Sequence, residues 1–307
     1  MTKAKIQTVK NRYTNKRFMK QFIEFKKQRE LGEILSDTFA FLRAEFKPFF
    51  TTFFKIIGPY LLVMLICYGL YMYQFGDFFS FSMQGSSDAA NAILLFVVGA
   101  AFVLSLIATY VMSQATTLFY IQSYSDHQGQ TNFDEIKKNV YGSFWQFIGL
   151  GILVGICVGV GFMFCIIPGV YLYVPLVLTF SIMVFSRKSV SDAFSYSFTL
   201  VKDNWWATFA ALFVVGIIVT VASYAFAIPS TIYTYAKMGI FSGEIDAENF
   251  GVGDPISIFL GSLSTLAQFL LNIISVVASV LIYFDLNEKK NFTGTYERIK
   301  NLGGTDN

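Results

Sequence analysis

The sequence predicts an all-α, polytopic membrane protein: six transmembrane helices paired as three hairpins, each preceded by a cytoplasmic, interfacial amphipathic helix. Three observations carry this prediction. Of 307 residues, 54% are hydrophobic, 18% aromatic and only 14% charged, more apolar surface than one soluble core could hide, so lipid must cover much of it. The apolar residues fall into long runs separated by short polar segments. All but one Lys or Arg, finally, fall in every second polar segment.

The chain opens with a basic segment, 1–30, holding ten cations against two anions, a balance of +8; the remainder holds thirteen against eighteen, a balance of −5. Phe18, Phe22 and Phe25 recur between the cations at helical spacing, which suits a segment lying on an anionic inner leaflet. Lys16, Arg17, Lys20, Lys26, Lys27 and Arg29 are its candidate contacts to lipid headgroups or to an acidic protein partner on the cytoplasmic side. The plainer reading is a tail that only orients the chain. Nucleic acid is not an expected partner, because no recognition fold accompanies the charge. The first apolar run begins too late for a cleavable signal peptide, so the N-terminus is expected to be retained.

A helix needs about 20 apolar residues to cross roughly 30 Å of hydrocarbon. By that measure the apolar runs are Phe49 to Tyr73, Ala89 to Ile121, Phe144 to Phe185, Trp205 to Ile228 and Ile256 to Phe284. The third is twice too long. Lys137 and Lys138 precede it and Arg187 and Lys188 follow it, so the positive-inside rule demands an even number of crossings. Pro168 and Gly169 near its middle suit the central positions of a type II turn, which predicts two helices joined by a tight hairpin at the outer surface. With six crossings and both termini inside, 22 of the 23 cations are cytoplasmic and only Lys237 is left outside.

An internal repeat organises these runs. Leu31, Leu35, Phe39, Leu42 and Phe46 are matched 159 residues later by Val190, Phe194, Phe198, Val201 and Trp205, each set one face of an amphipathic helix. A weaker copy, Phe133, Val140 and Phe144, precedes the third run. The membrane domain, 31–286, is thus expected to hold three units, 31–122, 132–186 and 190–286, followed by a cytoplasmic tail, 287–307. Coincident amphipathic patterns are the alternative.

Polar chemistry inside the runs is sparse. Ser264, Gln268, Asn272, Ser275 and Ser279 make a stripe down the last run, expected to face the bundle interior with Gln114 as a partner, because lipid offers an amide nothing to bond. Such a stripe serves as interhelical glue or lines a polar path. Gly151, Gly155 and Gly159 form a small-residue ridge expected to admit a close helix neighbour, and Pro59 and Pro175 are expected to kink their helices. Cys67, Cys157 and Cys165 lie within apolar runs as packing residues. The lone His127 beside Asp126 has no second His or Cys to complete a metal site, and no nucleotide-binding or hydrolase motif is present. No enzyme, metal or cofactor is therefore expected.

The stretch Ile167-Pro168-Gly169-Val170-Tyr171-Leu172-Tyr173-Val174-Pro175, the basic turn Arg187-Lys188, the run from Ser191 to Lys202 and the pair Trp205-Trp206 resemble the bacterial membrane domain named after glycerophosphoryl diester phosphodiesterases. The ending Tyr283-Phe284-Asp285-Leu286 with Glu288-Lys289-Lys290 is similar to the close of such domains. The resemblance implies a bacterial inner-membrane protein. It does not imply phosphodiesterase activity, because those enzymes hydrolyse with a separate soluble barrel and only a short tail follows the sixth helix here. Two functions stay open: a noncatalytic scaffold or accessory subunit working through its cytoplasmic face, and a carrier for a lipid or small solute along a polar path lined by the last helix.

Overall fold

Leu, Ile, Val and Phe runs without charge form helices in lipid because each backbone N–H and C=O must be bonded within the segment. The computed structural model describes residues 23–83, 89–241 and 253–303. They are 89% helical, with no strand among the described residues. In chain order they are α1 (Leu31–Ala44), α2 (Phe46–Met83), α3 (Ala89–Asp126), α4 (Phe133–Gly142), α5 (Phe144–Phe164), α6 (Ile166–Val177), α7 (Thr179–Phe185), α8 (Val190–Val201), α9 (Trp205–Lys237), α10 (Pro255–Asn291) and α11 (Thr293–Gly303). Six segments are long and apolar enough to cross a membrane: Phe46–Phe78, Ala89–Asp126, Phe144–Phe164, Ile166–Phe185, Val190–Lys237 and Pro255–Asn291.

Helix starts follow local chemistry. Asn132 caps α4 by accepting from the N–H groups of Asp134 and Glu135, Ser189 caps α8 through Asp192, and Asp254 caps α10 ahead of Pro255. At α1 the Glu33 carboxylate reaches back to the Glu30 N–H at 3.0 Å, a capping box. Each short helix then bends directly into a long one: through Glu45 alone, through Ser143 alone, and through the 3₁₀ turn Lys202–Asn204.

Consecutive long helices make the largest interfaces, α2 with α3, α9 with α10 and α5 with α6. The long helices are unequal. At 38 residues α2 and α3 are each about 57 Å long, whereas α5 has 21 residues, about 32 Å. Burial is unequal too. Every residue of α10 from Val276 to Glu288 is buried, while α3 exposes Ile93, Phe96, Val103, Leu104 and Tyr110 before turning buried from Val111 onward. The core therefore lies at the end that carries the cations, built from α1, the last third of α10 and the adjoining ends of α2 and α3.

The tight turn of the third run lies elsewhere than at Pro168 and Gly169. The chain breaks at Cys165, in extended conformation at φ −171° and ψ 159°, and both residues sit inside the first turns of α6. Pro suits such a place because the first N–H groups of a helix have no intrahelical acceptor. Gly169 serves closeness rather than positive φ: a Cβ there would lie 2.5 Å from the Phe162 ring, and one on Gly161 would lie 3.0 Å from the Gly169 Cα. The expected Gly151, Gly155 and Gly159 ridge does not fill this role, since nothing comes within 4 Å of a Cβ built on Gly155 or Gly159. Pro59 lies within a continuous α2, and the break between α6 and α7 at Leu178 follows Pro175 by three residues.

Candidate functional site

The cation-rich end is closed by the chain's own N-terminal segment. Phe25 is 1% exposed and sits among three rings, with centroids 5.3 Å from Phe41, 6.0 Å from Tyr124 and 5.8 Å from Phe284. Such aromatic contacts add about 0.5–1.5 kcal/mol beyond the area buried. The Ile23 N–H donates to the Tyr124 hydroxyl at 3.0 Å, and the Arg29 N–H donates to Asp285 at 2.7 Å. Residues 23–30 thus form a strap across the ends of α1, α3 and α10.

Arg29 holds the strap in shape. Its side chain is fully enclosed, with Nε 2.9 Å from Asp37, Nη1 donating to the carbonyls of Phe25 and Lys27 and Nη2 to that of Glu24. Lys27 adds a second ion pair to Asp37 at 3.1 Å. Burial lowers the Arg29 pKa from its ordinary value against the pull of Asp37 and Asp285. For Asp37 the balance is reversed: burial would raise its pKa, but the bonds from Arg29 and Lys27 outweigh that and hold it low. The ion pair with Asp37 and the bonds that the Arg29 guanidinium donates to backbone carbonyls offset the desolvation of Arg29.

The C-terminal side is tied to the same strap. Phe292 adopts a left-handed φ of 53° that ends α10, and the Glu288 carboxylate accepts from the N–H groups of Gly294 at 2.7 Å and Thr295 at 2.9 Å, capping α11. Arg298 of α11 then reaches Glu24 at 2.9 Å and the Lys26 carbonyl at 3.2 Å. Beneath the strap, Glu45 at the α1–α2 bend is buried and accepts the Tyr120 hydroxyl at 2.8 Å.

Beside this knot lies a polar cleft of about 590 Å³. Asp126, Glu135, Arg187, Lys188, Gln122 and Asn139 are among the residues that line it. Arg187 has φ 50°, uncommon for a residue with a side chain, at the turn between α7 and α8. Lys188 lies 4.5 Å from the centre of the Tyr196 ring. The cleft can hold a small polar group of mixed charge. Among the described residues no cluster of three His, Cys, Asp or Glu side chains is placed to bind a metal ion.

The residues singled out from sequence divide sharply. Lys16, Arg17 and Lys20, with Phe18 and Phe22, lie outside the described residues. Lys26 and Lys27 are half-buried, Lys27 on Asp37, and Arg29 is enclosed, so Arg29 is no surface contact for lipid. The physical reason is the carboxylate of Asp37 and the carbonyls that face it, none of which the local sequence reveals. The polar stripe does not converge. Ser264 is buried and donates to the Phe226 carbonyl at 2.8 Å, but Gln268 is exposed and Asn272 and Ser275 are half-buried. Gln114 donates to Tyr110 on its own helix at 3.0 Å. Gln268 shares a helical face with Ser264, yet no residue of α10 from Thr265 to Asn272 is buried.

Asp37, Glu45, Asp285 and Glu288 are the residues that sequence reading missed. A carboxylate at the end of an apolar helix reads as a solvated terminus, and only the tertiary contacts make it a clamp. No known protein family, curated protein or solved structure matches this chain.

Proposed function

We propose that this is a noncatalytic integral membrane protein acting as a scaffold or accessory subunit, with the cation-rich end as its cytoplasmic working face. The observation that carries the reading is the strap: the most tightly packed part of the molecule is the cation-rich end, where both terminal segments are pinned together beside an open polar cleft. A rigid platform with charged walls suits docking of a partner, and the cations of 1–22 beyond the strap suit the anionic inner leaflet.

The same reading places both termini in the cytoplasm of a bacterial cell and the chain in its inner membrane, in keeping with the positive-inside pattern and with the resemblance to the phosphodiesterase membrane domain. It takes the fold as three units, each an interfacial helix followed by an antiparallel pair. Two facts support the repeat. Ile34, Thr38 and Phe41 of α1 and Ala193, Ser197 and Leu200 of α8 are buried at the same offset of 159, and the apolar residues Leu31 and Phe39 of α1 and Phe46 at the start of α2 remain exposed, free to lie on lipid.

The carrier alternative rests on a continuous polar path, and the separation of Gln114 from the stripe and the exposure of Gln268 remove its main support. The test removes residues 3–22 and keeps the strap. Full-length and shortened proteins, matched in expression, are compared for copurifying proteins and for binding to phosphatidylglycerol vesicles across a salt series. The expected result is an unchanged fold with a weakened, salt-sensitive association. Retention of every association by the shortened protein, with loss of uptake on changing Gln268 and Asn272 to Leu, would instead favour the carrier.

A further inference from the structure

We infer that α5 and α6 form a re-entrant pair whose apolar tip, Phe162 to Pro168, ends inside the bilayer among the acyl chains of the leaflet nearest the cation-rich end. The even-crossing rule that fixes the third run is satisfied by zero crossings as well as by two, because Lys137, Lys138, Arg187 and Lys188 stay on one side either way. Geometry decides between them.

The pair starts from the same end as the core. Phe147, near the start of α5, meets Phe119 of α3 at 6.1 Å and Phe180 of α7 at 5.7 Å, and Gln122 of α3 donates to the Val184 carbonyl at 3.2 Å. From Phe147 to the end of α5 at Phe164 is about 26 Å of helix, and tilt only shortens that reach. The same distance along α3 from Phe119 ends near Phe102. Beyond Phe102, α3 continues to Ala89, about 20 Å further. The exposed apolar band of α3, Ile93 to Tyr110, has its middle near Phe102, so the tip stands level with the centre of the lipid-facing band.

A second contact agrees. Tyr171, five residues past the tip's Ile166, stacks on Trp205 at 5.7 Å and accepts from its indole N–H at 3.4 Å. Trp205 follows Lys202 directly through the 3₁₀ turn, and nearby Thr199 accepts from Lys290 at 2.6 Å, at the cation-rich end of α10. One open cavity of about 1140 Å³ is lined both by Ile166 and Ile167 of the tip and by Lys202 and Trp206. A turn at the far surface could not share a cavity with this one across roughly 30 Å of hydrocarbon.

The chemistry of the tip fits hydrocarbon and not water. Met163 is 88% exposed, Phe164 84%, Ile166 72% and Ile167 77%, and no charged or amide side chain interrupts Phe162 to Pro168. The backbone at the break is partly satisfied within the pair. The Cys165 N–H bonds to the Gly161 carbonyl at 3.2 Å, the Gly169 N–H bonds to the Cys165 carbonyl at 3.3 Å, and Pro168 has none to satisfy. The cavity beside the tip is then filled by chains of the same leaflet. This inference uses the proposed orientation only to name the leaflet and is independent of whether a partner docks.

The tip carries its own probe. With Cys67 and Cys157 changed to Ala, Cys165 is spin-labelled in detergent and the full chain is reconstituted into phosphatidylethanolamine–phosphatidylglycerol vesicles. Its accessibility to oxygen and to a water-soluble nickel chelate gives the depth. The expected result is high oxygen and minimal nickel accessibility from both sides, against strong nickel accessibility for labels at Asp77→Cys and His127→Cys at the two ends. A label on Met163→Cys, with Cys165 also changed to Ala, must agree, which guards against a tip distorted by the probe. Nickel accessibility at 163 or 165 matching either end control would overturn the inference.

Discussion

The two halves of α3 and α10 contrast within single helices. Toward the cation-rich end both are enclosed by protein, α10 on all sides from Val276 to Glu288; toward the other end they present Ile93, Leu94, Phe96, Ile256, Phe259 and Leu263 outward. Along α3 the enclosed half is also the more polar, with Ser113, Gln114, Thr116, Thr117, Gln122 and Ser123 there against Asn91, Ser105 and Thr109 before it. The difference teaches that an apolar residue here answers to one of two solvents: a packed interior, where shape matters, or lipid, where it does not. The strap and knot belong to the first regime, and the tip of α5–α6 to the second.

The contrast is broken most severely by removing the strap. A chain beginning at Leu31 lacks Phe25 and Arg29 and should fail to give a monodisperse species on detergent size exclusion, whereas one retaining residues 23–30 should behave as full length. Single changes come next. Phe25→Ala should cost about 3–5 kcal/mol as a large buried side chain, and Arg29→Ala about 1–3 kcal/mol, because it leaves the Phe25 carbonyl without its charged donor and Asp37 with Lys27 alone. Both are read as lowered thermal midpoints by tryptophan fluorescence in detergent. The two changes should combine non-additively, because they act on one strap.

A paired truncation sharpens the comparison between solvents. Leu281→Ala, in the enclosed part of α10, should cost about 2–5 kcal/mol, and Leu104→Ala, 68% exposed on α3, less than about 0.5 kcal/mol. Equal effects would mean that the outer half of α3 is covered by protein rather than lipid.

Acid is a milder probe. Asp37 has its pKa held below the ordinary carboxylate range, so its contribution is fully present above the unfolded value of about 3.9 and is lost as pH falls through the lower folded value. The thermal midpoint should therefore drop below about pH 4, and Asp37→Asn should lower it at neutral pH while flattening that decline. The smallest effect belongs to Arg298→Ala, whose half-exposed pair with Glu24 is worth about 0–1 kcal/mol. It should leave the midpoint nearly unchanged.

By itself the sequence determined that the chain is helical and lies in a membrane, because apolar run length and cation placement are local properties that bilayer thickness and interfacial charge translate directly into helices. The amphipathic faces beginning at Leu31 and Val190 were likewise legible, since helical periodicity acts over a few turns. Tertiary structure alone decided what the polar residues do. Arg29 and Lys16 look alike in a basic segment, and only Asp37, eight residues on, and Asp285, at the far end of the chain, set Arg29 apart. The Gln268 amide shares a face with Ser264, yet Ser264 is buried and Gln268 exposed, because cover depends on where other helices pack. Pro168 and Gly169 suited a turn by their backbone preferences, but the turn formed at Cys165, where close packing of Gly161 against Gly169 outweighed those preferences. Backbone propensity is worth about a kilocalorie per residue, and contacts made across the fold exceed it.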